Sequence, residues 1–132
     1  MGDRCHLSMT IRKVDEEKFA ALLKETLGGD VTIENFFDGA EESDGEIELT
    51  MFEANYGLYS ELQAWSKTVN FEGQHSEGGE YGAAAFVAWK GKYHETPTLD
   101  GDLMVRVDEQ GDPIPASVKA VKQYLFALRS FQ

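Results

Sequence analysis

His75, Glu77, Glu80, Tyr81 and His94 are the residues through which this chain could do chemistry, and four of them crowd one stretch, "FEGQHSEGGEYGAAAFVAWKGK", residues 71–92. An imidazole and two carboxylates around paired glycines offer general acid–base groups. His75, Glu77 and His94 also have the ligand types of a two-histidine, one-carboxylate metal site, provided a hairpin carries His94 back to His75. The phosphate-cradling motifs fail one by one. Gly73 and Gly78 have P-loop spacing, but Gly79 and Glu80 stand where Lys and Ser or Thr are required. A dinucleotide fingerprint opens a helix, whereas these glycines precede a strand-like run, and the neighbouring acids repel phosphate. "HSE" has the H-x-E of zinc deaminases without its cysteine pair, since Cys5 is the single cysteine. Neither a Ser-His-Asp nor a Cys-His arrangement is signalled, so no catalytic residue, metal or cofactor is assigned. The expectation is a glycine bend feeding a central strand. Gly78 and Gly79 would take positive φ, and Gly82 would allow close approach. The alternative is a small metal- or ligand-binding enzyme using His75, Glu77, Glu80, Tyr81 and His94.

The second chemical signal is charge. The 132 residues carry 24 Asp and Glu against 12 Lys and Arg, a net charge of −12. That field disfavours direct contact with nucleic-acid phosphates and favours a basic partner. The acids are clustered: from Glu25 to Glu61 there are eleven of them and no Lys or Arg. Asp38, Glu41, Glu42, Asp44, Glu46 and Glu48 form the densest part, with Tyr56 and Tyr59 close behind as exposed aromatics suited to a protein interface. "DGAEESDGE" does not fit a calcium-binding EF-hand loop, because Ala40 and Ser43 occupy ligand and glycine positions when counted from Asp38. At the end of the chain the pattern reverses, with Lys119, Lys122 and Arg129 following the final acid, Asp112.

In size and composition the chain resembles, as a class, the acidic nucleic-acid-mimicking inhibitors carried by phages and plasmids, of anti-restriction or anti-CRISPR type. The resemblance implies carboxylates standing where phosphates would sit, and a partner with a basic surface such as a nucleic-acid-processing enzyme. It implies no direct nucleic-acid contact and no membrane. A homodimeric structural or regulatory protein, formed through a sheet edge, is the third reading.

The elements that must position these groups follow from periodicity. At 132 residues, with 42% apolar residues, one domain with a sizeable core is expected. There is no signal-peptide-like apolar run and no span of about 18 apolar residues, so a cytoplasmic protein is expected. "CHLSMTIRKV", 5–14, alternates as a half-buried strand. Asp15 is placed to cap a helix over 16–27, with Gly28-Gly29 as its stop. "DVTIENFF", 30–37, reads as a strand, 38–45 as a long acidic loop, and 46–54 as an alternating strand. A helix is expected over 55–70, entered at Asn55, then strands near 69–75, 81–90, 92–96 and 102–112, and a last helix over 116–130. The order predicts an α+β fold: a ferredoxin-like βαββαβ core extended by antiparallel strands and a C-terminal helix, with the helices on one face.

Overall fold

The computed structural model describes residues 3–132 and has a mixed α+β architecture, a seven-stranded antiparallel sheet with four helices. The strands are β1 (Arg4–Arg12), β2 (Gly39–Ser43), β3 (Glu46–Asn55), β4 (Phe71–His75), β5 (Ala84–Trp89), β6 (Lys92–Leu99) and β7 (Asp102–Leu103). Their order across the sheet is β2-β3-β1-β4-β5-β6-β7. The helices are α1 (Glu16–Leu27), α2 (Ile33–Phe36), α3 (Tyr59–Trp65) and α4 (Pro115–Phe131). Among the described residues, no helix is long and apolar enough to cross a membrane.

Alternation along β1 sends Cys5, Leu7, Met9 and Ile11 to one face, where they are buried with Ile47, Leu49 and Met51 of β3 and Phe71 of β4. Phe19, Leu22 and Leu23 of α1 and Leu62 and Trp65 of α3 close over them. The Trp65 indole N–H donates to Thr26 Oγ1 at 3.0 Å, which removes the penalty of burying it. β5 is apolar on both sides. Phe86 and Ala88 join this first core, whereas Ala85 and Val87 meet Tyr124, Ala127 and Phe131 of α4 in a second one.

α4 therefore lies on the opposite face from α1 and α3, which corrects the expectation of helices on one face. The physical cause is β5 itself: a strand with two apolar faces needs cover on both. Arg12 locks the arrangement. It leaves β1 on the α4 side and its guanidinium stands 5.1 Å from the Trp89 ring centroid and 5.0 Å from that of Phe131. It also donates to the Phe131 carbonyl and, at 3.4 Å, to that of Ser130. These belong to the last turn of α4, where carbonyls lack helical partners and a cation is favoured.

Other local expectations change. Residues 33–36 are helical, not a strand, because Thr32 and Asn35 form a reciprocal capping box: each backbone N–H donates to the other's side chain, at 2.8 and 3.1 Å. The long acidic loop is instead β2 and a two-residue turn, Asp44-Gly45, with φ of 50° and 79°. Asp-Gly in this position matches the twist of a hairpin. Asp15 ends a short 3-10 turn, Lys13–Asp15, and its side chain caps nothing. The helix expected over 55–70 begins only at Tyr59, as α3, after a turn in which Tyr56, Gly57 and Leu58 all have positive φ, and Asn55 makes no side-chain cap. The strand expected over 102–112 stops at Leu103. Met104 N–H still donates to the Pro97 carbonyl at 3.0 Å, but Pro97 has no N–H to return and the ladder ends.

Candidate functional site

Two regions gather the chemically capable side chains, one on each face of the sheet. The first is the part of the α4 side that α4 leaves uncovered. Glu46 and Glu48 lie two residues apart on β3, opposite in phase to the buried Ile47 and Leu49. Register places Glu41 of β2 directly across from Glu48, Glu48 across from Thr10 of β1, and Thr10 across from Glu72 of β4. The row thus reads Glu41, Glu48, Thr10, Glu72, with Glu46 beside it. Directly opposed carboxylates in a sheet repel. Burial pushes the Glu72 carboxyl above the ordinary range; a hydrogen bond with Thr10 opposes this, and the nearby charges of Glu46 and Glu48 add to it. Arg12, which pairs in register with Glu46, has its guanidinium at the end of α4 instead.

The acidic residues of the hairpin divide accordingly. Glu41, Glu46 and Glu48 share the open face. Glu42 points the other way and meets Lys13 Nζ at 2.7 Å, and Lys13 holds Glu16 at the same distance. These two hydrogen bonds raise the Lys13 ammonium's affinity for its proton. Asp38 accepts the Phe52 N–H at 2.7 Å, a structural role, and Asp44 forms the turn. Glu72, not among the expected site residues, joins the row; its alternation within "FEGQH", out of phase with Phe71 and Gly73, is the signal the sequence carries for it.

The second region is a pocket of about 810 Å³ on the α1–α3 side. Tyr56 and Tyr59 reach it from the start of α3, His75 from the end of β4, Tyr81 from the glycine stretch, and Tyr93 and Glu95 from β6. The Phe86 ring lies behind, with centroids 6.4 Å from His75 and 6.0 Å from Tyr93, stacked on both. The Tyr81 ring meets His75 edge-on at 5.7 Å. Tyr93 O–H donates to Glu95 Oε2 at 3.0 Å, and His75 Nε2 lies 4.0 Å from Glu95 Oε1. Burial, together with the Glu95 charge, pushes the Tyr93 phenol well above its usual range. Burial does the same to Tyr81, with Cys5 and Asp3 contributing.

The glycine stretch builds this pocket by close approach, not by positive φ. A methyl on Gly78 would fall 2.5 Å from the Tyr81 ring, and one on Gly79 would fall 3.3 Å from Asp3 Oδ1. Asp3 clasps the loop, its two carboxylate oxygens accepting the Gly79 and Glu80 N–H groups at 2.7 and 2.6 Å. Its carbonyl accepts from Tyr81 O–H at 3.2 Å and from the Tyr56 N–H. Gly82, expected at a close approach, has open space around it. Glu77 and Glu80 are exposed and outside the pocket.

His94 does not meet His75. It pairs in register with Val87 and faces the α4 side, where it lines a groove of about 1030 Å³ with Lys90, Lys92, Lys119 and Lys122. Burial lowers its tendency to take a proton, and Lys92 acts in the same direction. Register explains the separation: His75 pairs with Ala84 and Ala84 with Pro97, which puts His75 on the face of Tyr93 and Glu95 and leaves His94 on the other. Among the described residues, no group of three or more His, Cys, Asp or Glu could hold a metal ion. No known protein family, curated protein or solved structure matches this chain.

Proposed function

We propose that this chain is a non-enzymatic, acidic protein-binding module, folded as one domain, whose uncovered sheet face docks on a basic surface. In its finer form the module is a nucleic-acid mimic of anti-restriction or anti-CRISPR type, acting in the cytoplasm on a nucleic-acid-processing enzyme. One observation carries the reading: Glu41 stands directly opposite Glu48, with Glu46 and Glu72 alongside, and the nearest cation in register, Arg12, is directed to α4. Such a row weakens the free fold, and a cationic partner recovers what repulsion costs. Carboxylates repeat along β3 every second residue, roughly 7 Å apart, and across the strands at roughly 5 Å. That makes a fixed anionic lattice on a rigid sheet. A ferredoxin-like scaffold is part of the proposal. It draws support from the order β2-β3-β1-β4 with antiparallel neighbours, and from α1 and α3 sharing one face.

Dimerisation through the β2 edge is less well supported, because Glu41 and Glu42 would face their own copies across the junction. The metal-dependent alternative loses its geometry with the separation of His75 from His94. The test uses the full chain and a Glu41→Lys/Glu46→Lys/Glu48→Lys variant as baits in host extract, with duplex DNA as competitor. The expected result is a basic partner held by the native chain, absent from the variant and displaced by DNA. Equal capture by both baits would overturn the acidic-face reading. Capture that DNA does not disturb would overturn the mimicry.

A further inference from the structure

We infer that the tyrosine pocket is a binding site for a small organic ammonium compound, a function separate from the acidic sheet face. The lining carries one carboxylate, Glu95, and no Lys or Arg. Four of the chain's five tyrosines, Tyr56, Tyr59, Tyr81 and Tyr93, supply its walls. Aromatic faces around a carboxylate attract a desolvated cation through the ring quadrupole and reject an anion. Because burial keeps Tyr81 and Tyr93 as neutral phenols, these walls are π-faces and hydroxyls and add no second charge.

The polar atoms specify an N–H donor. His75 Nδ1 lies 2.9 Å from the Ser76 carbonyl, which can only accept; the tautomer with its proton on Nδ1 satisfies that contact and leaves Nε2 as an acceptor. Glu95 Oε2 is occupied by the Tyr93 hydroxyl, which fixes the carboxylate and leaves Oε1 turned toward His75. Nε2 and Oε1 stand 4.0 Å apart. That is too far to bond each other, and a nitrogen placed ~2.9 Å from both can donate to each. An ammonium group with two N–H bonds satisfies the pair, and its apolar body has the tyrosine rings to lie against. The volume of about 810 Å³ is within the range of small-molecule sites.

Backbone strain supports the assignment. Tyr56, Gly57 and Leu58 have φ of 52°, 60° and 56°, three consecutive left-handed residues, two of them not glycine. Such strain collects at ligand sites, where the surrounding structure holds it. Here it sets Tyr56 and Tyr59 at the mouth and packs Gly57 against the His75 ring. The net charge of −12 adds long-range attraction for any cation.

The experiment is an NMR titration of the full chain with 2-phenylethylamine at neutral pH, beside its uncharged analogue 2-phenylethanol. Expected are saturable shifts confined to the pocket, weaker binding of the alcohol by about tenfold or more, and a similar loss in Glu95→Gln. Tyr93→Phe should lose less, since it removes only the group that orients Glu95. Glu41→Lys/Glu48→Lys, on the other face, should leave the affinity within about twofold at moderate salt. If Glu95→Gln does not fold, Ser60→Arg replaces it, bringing a cation to the mouth, and must weaken binding. Absence of saturation up to ~10 mM, equal affinity for the alcohol, or amine binding indifferent to both substitutions would overturn the inference.

Discussion

The acidic face and the tyrosine pocket are built in contrasting ways. The face repeats one residue type at strand spacing on neighbouring strands, so each carboxylate is placed by register alone. The pocket draws one or two residues each from four separate segments, held by a clasp at Asp3, a strained turn and a tyrosine–carboxylate bond. Repetition gives a broad surface of a single charge sign. Convergence gives a concave site, open to solvent on one side, with oriented acceptors. The first offers many like charges spread over a wide surface, and the second a few oriented acceptors gathered at one point. The face also accumulates repulsion that substitution can relieve, whereas the pocket is fitted closely enough that substitution damages it.

Gly73 is the severest test, because both regions depend on β4 lying close to β1. A methyl there would meet the Ser8 carbonyl oxygen at 2.2 Å and Met9 Cα at 2.8 Å, both backbone atoms. Gly73→Ala should cost about 3 kcal/mol or more and disturb face and pocket together, as measured by urea unfolding. A neutral result would mean that the strands separate without consequence. Gly57→Ala should act on the pocket alone. Its φ of 60° disfavours a side chain and the new methyl falls 3.2 Å from the His75 ring. A loss of about 1–2 kcal/mol is expected, with the His75 and Tyr81 ring signals shifted and the β2–β3 amides unmoved.

The smallest effect has the opposite sign. Because the Glu72 carboxyl is raised in the folded chain above its ordinary value of 4.5, the native state binds more protons than the unfolded one between those two values. Its penalty is therefore fully present above the raised value and fades as pH falls toward 4.5. Glu72→Gln should raise the melting temperature by a degree or a few at neutral pH and confer progressively less advantage as pH falls toward 4.5. A lower melting temperature at neutral pH would show that its bond with Thr10 outweighs the burial and repulsion, and that the face is not under strain.

This contrast also explains what could be read in advance. The alternation of "CHLSMTIR" and "EIELTM" marks β1 and β3, and with them the phase of Glu46 and Glu48, because period two is local information. α1 and α4 are legible for the same reason at period 3.6. The strand expected at 30–37 is helical over 33–36 because the Thr32–Asn35 box outweighs the β-branched and aromatic propensity of the segment. The pocket was not legible as a whole. Sequence proximity groups Tyr56 and Tyr59 with the acidic hairpin and His75 and Tyr81 with the glycine stretch, although the Tyr56 and Tyr81 rings lie together, with centroids 6.3 Å apart. Part of the signal was present in "KYHET": alternation sets Tyr93 and Glu95 on one face and His94 on the other. What the sequence does not contain is the sheet order that brings β6 round to the start of α3.

The Asp3 clasp joins residues 76 positions apart in the chain, from the carboxylate to the Gly79 amide. Topologically the distance is far shorter. Leu7 already pairs with His75, so Asp3 lies four residues before one member of that pair and Gly79 four residues after the other. Once β1 and β4 are zipped, the clasp closes a small ring, and the entropy it removes is that of a short loop. The shape of the pocket is thereby tied to strand register. A slip of one residue between β1 and β4 would reverse which face each side chain takes and carry Asp3 out of step with its two amides. The pocket would be lost with every one of its own residues intact.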